Sequence, residues 1–132
     1  MEIRRKLRAE NLYYRARKSF LKGNIKMARM VSILNKALNC CDISFKADIG
    51  EGIYISHAIG LVIAPGVVIG ENCHLHQNTS IGNNQNKNPV IENDVTIYPH
   101  SIIAGDYTIK QKSIVPAGSV LITKSGRVFG SN

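Results

Sequence analysis

An aliphatic residue recurs at every sixth position through most of this chain. Thirteen positions carry this spacing, and all are Ile, Leu or Val: Ile43, Ile49, Ile55, Ile63, Ile69, Leu75, Ile81, Ile91, Ile97, Ile103, Ile109, Val115 and Leu121. An α-helix repeats every 3.6 residues and a half-buried strand every two, so neither explains the pattern. The period predicts a mainly β protein, a parallel β-helix whose triangular coils each contain three hexapeptides. Thirteen repeats make a little over four coils.

The six-residue spacing is interrupted twice. Two residues are added between Ile55 and Ile63, and four between Ile81 and Ile91. Added residues cannot enter the packed axis, so they must bulge outward as loops, where functional sites are commonly built. We expect the two loops on adjacent faces, so a site that uses both lies round a corner or between two subunits.

The first interruption carries His57, and Asp42 precedes it by nearly the length of one coil. Because of this separation, we expect Asp42 on the rung beside His57. A general base that works near neutral pH is commonly an imidazole oriented by a carboxylate. The pair therefore predicts a catalytic site.

The positive charge belongs to one segment. Residues 1–41 hold 11 Lys and Arg against Glu2 and Glu10, whereas residues 42–132 hold 6 against 7 acidic residues. Helical spacing predicts one helix over residues 1–21 and a second over residues 25–38. We therefore divide the chain into a basic helical segment (1–41), a β-helix domain (42–124) and a tail (125–132).

The amphipathic helices need a surface to cover. A cap on the β-helix or a subunit contact is the simplest interpretation, and contact with anionic lipid headgroups is the alternative. No nucleic-acid-binding motif accompanies the charge. No apolar run is long enough for a membrane span and no secretory signal is recognisable, so we expect a cytoplasmic protein, associated at most with the inner membrane face. The three cysteines suit burial rather than disulfides.

The β-helix sequence resembles the hexapeptide-repeat acyltransferases, and within them the serine acetyltransferase branch. Residues 42–52 read DISFKADIGEG, similar to the family segment D-I-H-P-x-A-x-I-G-x-G, and His57-Ala58 follows at the matching spacing. Residues 116–120, PAGSV, are similar to the G-A-G-S-V of the final coil. The resemblance implies a left-handed β-helix, acetyl-CoA as donor and a homotrimer with active sites between subunits.

The resemblance also implies residue roles. His57 deprotonates an acceptor hydroxyl, Asp42 orients its imidazole, and backbone N–H groups at Ala104 and Gly105 steady the oxyanion beside the cofactor. The resemblance also implies cofactor contacts from Ala117 and from three basic residues of the last coil and tail, Lys110, Lys112 and Lys124. The scheme uses no metal.

The expected acceptor depends on where the chain departs from serine acetyltransferases. Ser56 stands where they carry an Asp that binds the serine amine, and Lys87-Asn88 where they carry Arg-His. Lys does not replace the Arg fork that holds a carboxylate. With His76 also expected in the acceptor groove, these departures predict a sugar O-acetyltransferase of surface polysaccharide or O-antigen biosynthesis, acting on a glycan acceptor.

Three alternatives stay open. The nearest is a serine O-acetyltransferase of cysteine biosynthesis. A carbonic-anhydrase-like metal site would use the remaining histidines, His74, His76 and His100. A non-catalytic β-helix scaffold would need no insertion that carries a paired His and Asp.

Overall fold

The computed structural model describes residues 2–124 and 127–129, with residue 124 and residues 127–129 described by their backbone alone. Three helices come first: α1 (Glu2–Lys6), α2 (Ala9–Leu21) and α3 (Ile25–Asn39). The prediction of one helix over residues 1–21 is wrong, because the chain breaks at Arg8, which is extended with φ −63° and ψ 150°. The guanidinium of Arg8 donates to the Ile55 carbonyl at 3.0 Å, which holds the break against the first coil.

Fourteen short strands follow, in the described part of the chain. They are β1 (Asp42–Ile43), β2 (Asp48–Ile49), β3 (Tyr54–Ile55), β4 (Val62–Ile63), β5 (Val68–Ile69), β6 (His74–Leu75), β7 (Ser80–Gly82), β8 (Val90–Ile91), β9 (Thr96–Ile97), β10 (Ile102–Ala104), β11 (Thr108–Ile109), β12 (Ile114–Val115), β13 (Val120–Lys124) and β14 (Arg127–Phe129).

The strands form the three faces of a prism. Face A has the order β1-β4-β7-β10-β13-β14, face B has β2, β5, β8 and β11, and face C has β3, β6, β9 and β12. Every pair is parallel except β13 with β14, which is antiparallel. The chain passes from face A to B to C in each coil, so the corners are A–B, B–C and C–A. The predicted parallel β-helix is confirmed.

The register shows where the inserted residues go. Ile102 pairs with Val120, which is the register of an uninterrupted coil of three hexapeptides. Asp42 pairs with Val62 across the first insertion, and Val68 pairs with Val90 across the second. These partners are further apart in sequence by the two and the four added residues, which therefore leave the stack without disturbing it, as predicted. The first insertion lies at corner C–A and the second at corner A–B.

The aliphatic repeat forms the core. All thirteen predicted positions are buried, from Leu75 at 0% exposed to Leu121 at 8%. The second inward position of each hexapeptide is mostly small and buried as well, for example Ala47, Val67 and Ser101. Burial of this continuous apolar column on the axis is what stabilises a stack of strands that are mostly two or three residues long.

Helix α2 closes the open end of the first coil. The Tyr13 hydroxyl donates to the Ala47 carbonyl and accepts from the Ile49 N–H at 3.1 Å. The Tyr14 hydroxyl does the same for Gly50 and Ile53. Arg17 donates to the Phe45 carbonyl at 3.1 Å. The predicted cap on the β-helix is therefore present, and it satisfies backbone groups that the first coil cannot pair with a preceding one.

Helix α3 turns its apolar stripe away from the rest of the chain. Met27, Met30, Leu34 and Leu38 are exposed, and the buried residues of this helix are Ala28 and Asn35. The Asn35 amide donates to the Ala9 carbonyl of α2 at 3.0 Å. The stripe therefore does not cover the β-helix within one chain, and a subunit contact or a contact with lipid headgroups stays a prediction for it. No helix among the described residues is long and apolar enough to cross a membrane.

The cysteines only partly follow the prediction of burial. Cys41 and Cys73 are buried, whereas Cys40 is exposed, and all three are free thiols. Cys40 ends α3 in a left-handed conformation with φ 53°. Its position at this turn, between helix and first strand, explains why it stays outside the core.

Candidate active site

His57 lies in the first insertion, at corner C–A between β3 and β4. Its side chain is exposed. Two backbone hydrogen bonds anchor the turn after His57. The Gly60 N–H donates to the Cys40 carbonyl at 2.8 Å, and the Leu61 N–H donates to the Ala58 carbonyl at 3.0 Å. The insertion therefore presents the imidazole of His57 to solvent on a short, anchored turn, as a general base requires.

Asp42 opens β1 beside the end of this turn. Its N–H donates to the Leu61 carbonyl at 2.9 Å. Its carboxylate lies 3.6 Å from the ammonium of Lys36, and both side chains are more than half exposed. Within the described residues no hydrogen bond joins Asp42 to His57. An exposed ion pair of this kind is worth roughly 0–1 kcal/mol, so the contact with Lys36 leaves the Asp42 carboxylate able to bind another partner. The His57–Asp42 pair stays a prediction.

Ser56 and His76 lie close together on the outside of face C, linked by His74, which the sequence analysis named only for the alternative metal site. The Ser56 hydroxyl is 2.6 Å from Nε2 of His74. The rings of His74 and His76 stack with centroids 4.4 Å apart. Burial, followed by the neighbouring His76, lowers the pKa of His74. The strand register that sets His74 beside Tyr54 was the available signal, since both residues precede an inward aliphatic position.

A small cleft of about 130 Å³ adjoins the turn. Arg8, Glu10, Asn39, Ser56 and Ala58 are among its lining residues. The guanidinium of Arg8 is 2.6 Å from the carboxylate of Glu10. Charges of both signs therefore stand beside the residue that precedes His57.

Lys87 and Asn88 lie at a different corner. Asn84 and Lys87 exchange backbone hydrogen bonds of 2.9 and 3.0 Å, which makes a tight turn of the second insertion at corner A–B. The Asn84 amide donates to the Thr123 carbonyl and so draws this loop toward the last coil. Within one chain, Lys87 and Asn88 therefore do not share a corner with Ser56 and His57.

Ala104 ends β10 and Gly105 follows it, at the same corner as the second insertion. Gly105 has φ 89°, in the left-handed region that favours glycine. Its N–H donates to the Gly82 carbonyl at 3.1 Å. The N–H that the resemblance assigns to the oxyanion is therefore already hydrogen-bonded to the neighbouring coil.

The other predicted cofactor residues are spread over the end of the β-helix. Lys110 and Lys112 are exposed at corner B–C, and Ala117 is exposed at corner C–A. The side chain of Lys124 lies outside the described residues. The three described residues therefore do not share one pocket within a single chain.

The histidines of the alternative metal site are separated in the structure. His74 and His76 stack on face C, whereas His100 occupies a turn at corner C–A with φ 63°. Across residues 2–124 and 127–129, no group of three or more His, Cys, Asp or Glu residues could hold a metal ion.

Comparison with known proteins identifies relatives by sequence and by fold. No protein-family model matches the chain. The serine acetyltransferase of Buchnera aphidicola is 31% identical over 107 residues, which cover 75% of this chain and 41% of the relative. The chain spans about two fifths of the length of the curated relatives it matches.

Solved structures share the fold. The serine acetyltransferase of Neisseria gonorrhoeae in complex with serine has a TM-score of 0.80 and 24% identity, covering 85% of this chain and 47% of that one. The enzyme of Brucella abortus in complex with coenzyme A has a TM-score of 0.73 and 20% identity, covering 92% and 54%. These relatives are serine acetyltransferases. The predicted left-handed β-helix preceded by helices is confirmed.

The comparisons correct the predicted acceptor. They support the hexapeptide-repeat acyltransferases, and the relatives are named for serine rather than for a sugar. The prediction of a sugar O-acetyltransferase in polysaccharide biosynthesis is wrong, and its alternative is better supported. The prediction gave too much weight to two replaced contacts. One of them, Ser56, is hydrogen-bonded to His74, a contact that the sequence analysis did not predict.

Proposed function

We propose that this chain transfers the acetyl group of acetyl-CoA to the hydroxyl of L-serine, with His57 as the general base. The observation that carries the proposal is the exposed imidazole of His57 on an anchored turn, at the matching position of a chain whose relatives are serine acetyltransferases. Structural neighbours bind serine and coenzyme A, which supports this donor and this acceptor.

The transfer is direct. Nε2 or Nδ1 of His57 takes the proton of the serine hydroxyl as its oxygen attacks the thioester carbonyl. The tetrahedral intermediate then expels the sulfur of coenzyme A, which takes the proton back from the imidazolium. Asp42 orients the imidazole and stabilises its charged form, once its carboxylate leaves Lys36. The products are O-acetylserine and coenzyme A, and no metal takes part.

Serine is bound beside His57. The cleft at Ser56 carries charges of both signs on Arg8 and Glu10, which suits a zwitterionic amino acid. Ser56 and His76 contact the acceptor from face C. Lys87 and Asn88 approach from corner A–B of a neighbouring copy in a homotrimer.

Coenzyme A lies along the groove between copies. Ala104, Gly105 and Ala117 provide backbone contacts there. Lys110, Lys112 and Lys124 attract its phosphates. The cytoplasmic location and the contact of the N-terminal helices with a membrane surface stay predictions.

The test follows thiol release from acetyl-CoA with L-serine as the acceptor. We expect turnover by the wild type and a fall of at least about a hundredfold in His57→Ala, because the base is removed. Circular dichroism and sedimentation of the variant should match the wild type. The matched control is His100→Asn, which replaces another corner histidine by a residue that tolerates its positive φ. No turnover with serine, or full activity in His57→Ala, would contradict the proposal.

A further inference from the structure

Four rings stand in line on the outside of face C, next to the turn that carries His57. The ring centroids of Tyr54 and His74 are 4.7 Å apart, those of His74 and His76 4.4 Å, and those of His76 and Tyr98 5.0 Å. The guanidinium of Arg8 covers the far end, 5.5 Å from the Tyr54 centroid. The imidazole of His74 is therefore held on both sides by packed rings.

The ring of His76 is itself fixed. Its Nδ1–H donates to the Ile97 carbonyl at 2.8 Å, which settles the orientation of the imidazole against the β-helix. His74, packed against it, has one ring nitrogen bonded to the Ser56 hydroxyl at 2.6 Å. The ring column thus connects the rigid strands of face C to the residue directly before His57.

Ser56 is the last anchored residue before the base. Its N–H donates to the Leu75 carbonyl at 3.1 Å, the final ladder bond of β3 with β6. The next backbone bond along the chain is made by the Ala58 carbonyl, and the described residues give none to the backbone of His57. The direction in which His57 leaves face C is consequently set from one side by Ser56.

We propose that His74 is a positioning residue: by holding the Ser56 hydroxyl, it fixes the turn that carries His57. The proposal rests on the proposed function for its effect on activity. A half-buried hydrogen bond to a preorganised ring restricts the rotamer of Ser56 and thereby the path of the turn. His74 touches neither donor nor acceptor in this arrangement, and the His76 ring that it stacks on is held by its own bond to the Ile97 carbonyl, so His74 acts through Ser56.

The kinetic test uses His74→Ala, Ser56→Ala and the double variant. We expect His74→Ala to lower kcat/KM for serine about tenfold, while KM for acetyl-CoA stays unchanged. The double variant should be no worse than Ser56→Ala, because both changes remove one interaction. His74→Gln, which can still bond Ser56, should restore most of the loss. The matched control is Thr96→Ala. Thr96 pairs with His74 across β6 and β9 but does not contact Ser56, and the variant should retain activity.

A second measurement does not depend on turnover. Amide hydrogen exchange at residues 57–59 should be faster in His74→Ala than in the wild type, and normal in Thr96→Ala. If the wild type fails to acetylate serine but His74→Ala loosens this turn, the proposed function fails and the positioning role stands. Unchanged exchange together with unchanged kinetics in His74→Ala, or independent and additive effects of the two single variants, would overturn the positioning role.

Discussion

The hydroxyl of Tyr13 serves two backbone groups of the first coil at once. It donates to the Ala47 carbonyl and accepts from the Ile49 N–H, and the side chain is 1% exposed. Both backbone groups face the end of the β-helix, where the described residues place no earlier strand. A single phenol oxygen therefore replaces the ladder bonds that a preceding coil would have made.

Replacement of Tyr13 by Phe should destabilise the fold. The Phe ring fills the same space but leaves a buried carbonyl and a buried N–H without partners, which costs about 1–3 kcal/mol. Urea denaturation would measure the loss. The matched control is Tyr98→Phe, since the Tyr98 hydroxyl makes no hydrogen bond among the described residues, and this variant should unfold like the wild type. Equal stabilities for the two variants would contradict the prediction.

Tyr13 also predicts a loss of stability in alkali. Burial raises the pKa of Tyr13 from 10.0 to about 12. The folded state thus holds the proton more tightly than the unfolded chain, so its contribution is complete below pH 10 and disappears as the pH rises toward 12. The free energy of unfolding should fall less steeply between pH 10 and 12 in Tyr13→Phe than in the wild type. Burial also raises the pKa of Cys41, to about 11, but this residue is present in both proteins and affects both alike. Parallel slopes would refute this assignment.

At the scale of the element, coils stack so closely that some turns have no room for a side chain. Gly70 follows β5 at corner B–C, against the turn of the next coil. A Cβ added there would lie 2.8 Å from the Asn93 backbone nitrogen and 2.9 Å from the Glu92 carbonyl carbon. Neither backbone atom can move without shifting a coil.

Gly70→Ala should therefore destabilise the β-helix by about 1–3 kcal/mol, the usual cost of overpacking. Gly82→Ala is the matched control, because its nearest neighbour would be the Ala64 side chain at 3.7 Å, an ordinary contact. Thermal unfolding of both variants would measure the difference. If Gly82→Ala were as unstable as Gly70→Ala, the close approach of the next coil would not be the cause of the destabilisation, and the prediction would be wrong.

The sequence predicted the coils better than the helices, for a physical reason. Each aliphatic residue of the six-residue repeat faces the same axis, so spacing alone locates the core and the lengths of both insertions. A helical stripe shows only that one face is apolar. It did not reveal that Asn35 would face α2 while Met30 faces outward, nor that Arg8 would interrupt the first helix. The bond of His74 to Ser56 was missed because a contact between coils depends on register, which the first insertion shifts.

For the whole molecule, the two insertions raise the question of where the acceptor site is completed. His57 and Ser56 lie at corner C–A, and Lys87 and Asn88 at corner A–B. The proposed homotrimer would bring one kind of corner against another, because the interfaces of a three-membered ring are head-to-tail rather than self-complementary. The proposed site therefore needs residues from two chains.

Mixed assemblies can test this arrangement. His57→Ala is expected to be inactive, and Lys87→Ala poorly active at serine concentrations well below KM. If each site combines His57 of one copy with Lys87 of the next, co-expressed variants form some intact sites, about a quarter of the total by random mixing. Activity well above that of either variant alone is the expected result. A mixture no better than its components would place both residues in one chain's site.

The side chains that bond the first coil have a further consequence for the molecule as a whole. Parallel coils are interchangeable units, and nothing in their repeat limits how many can stack, so an uncovered end is a template on which another molecule could add. Tyr13, Tyr14, Arg8 and Arg17 already occupy backbone groups at that end. These side chains therefore protect the edge of the first coil against pairing with another molecule.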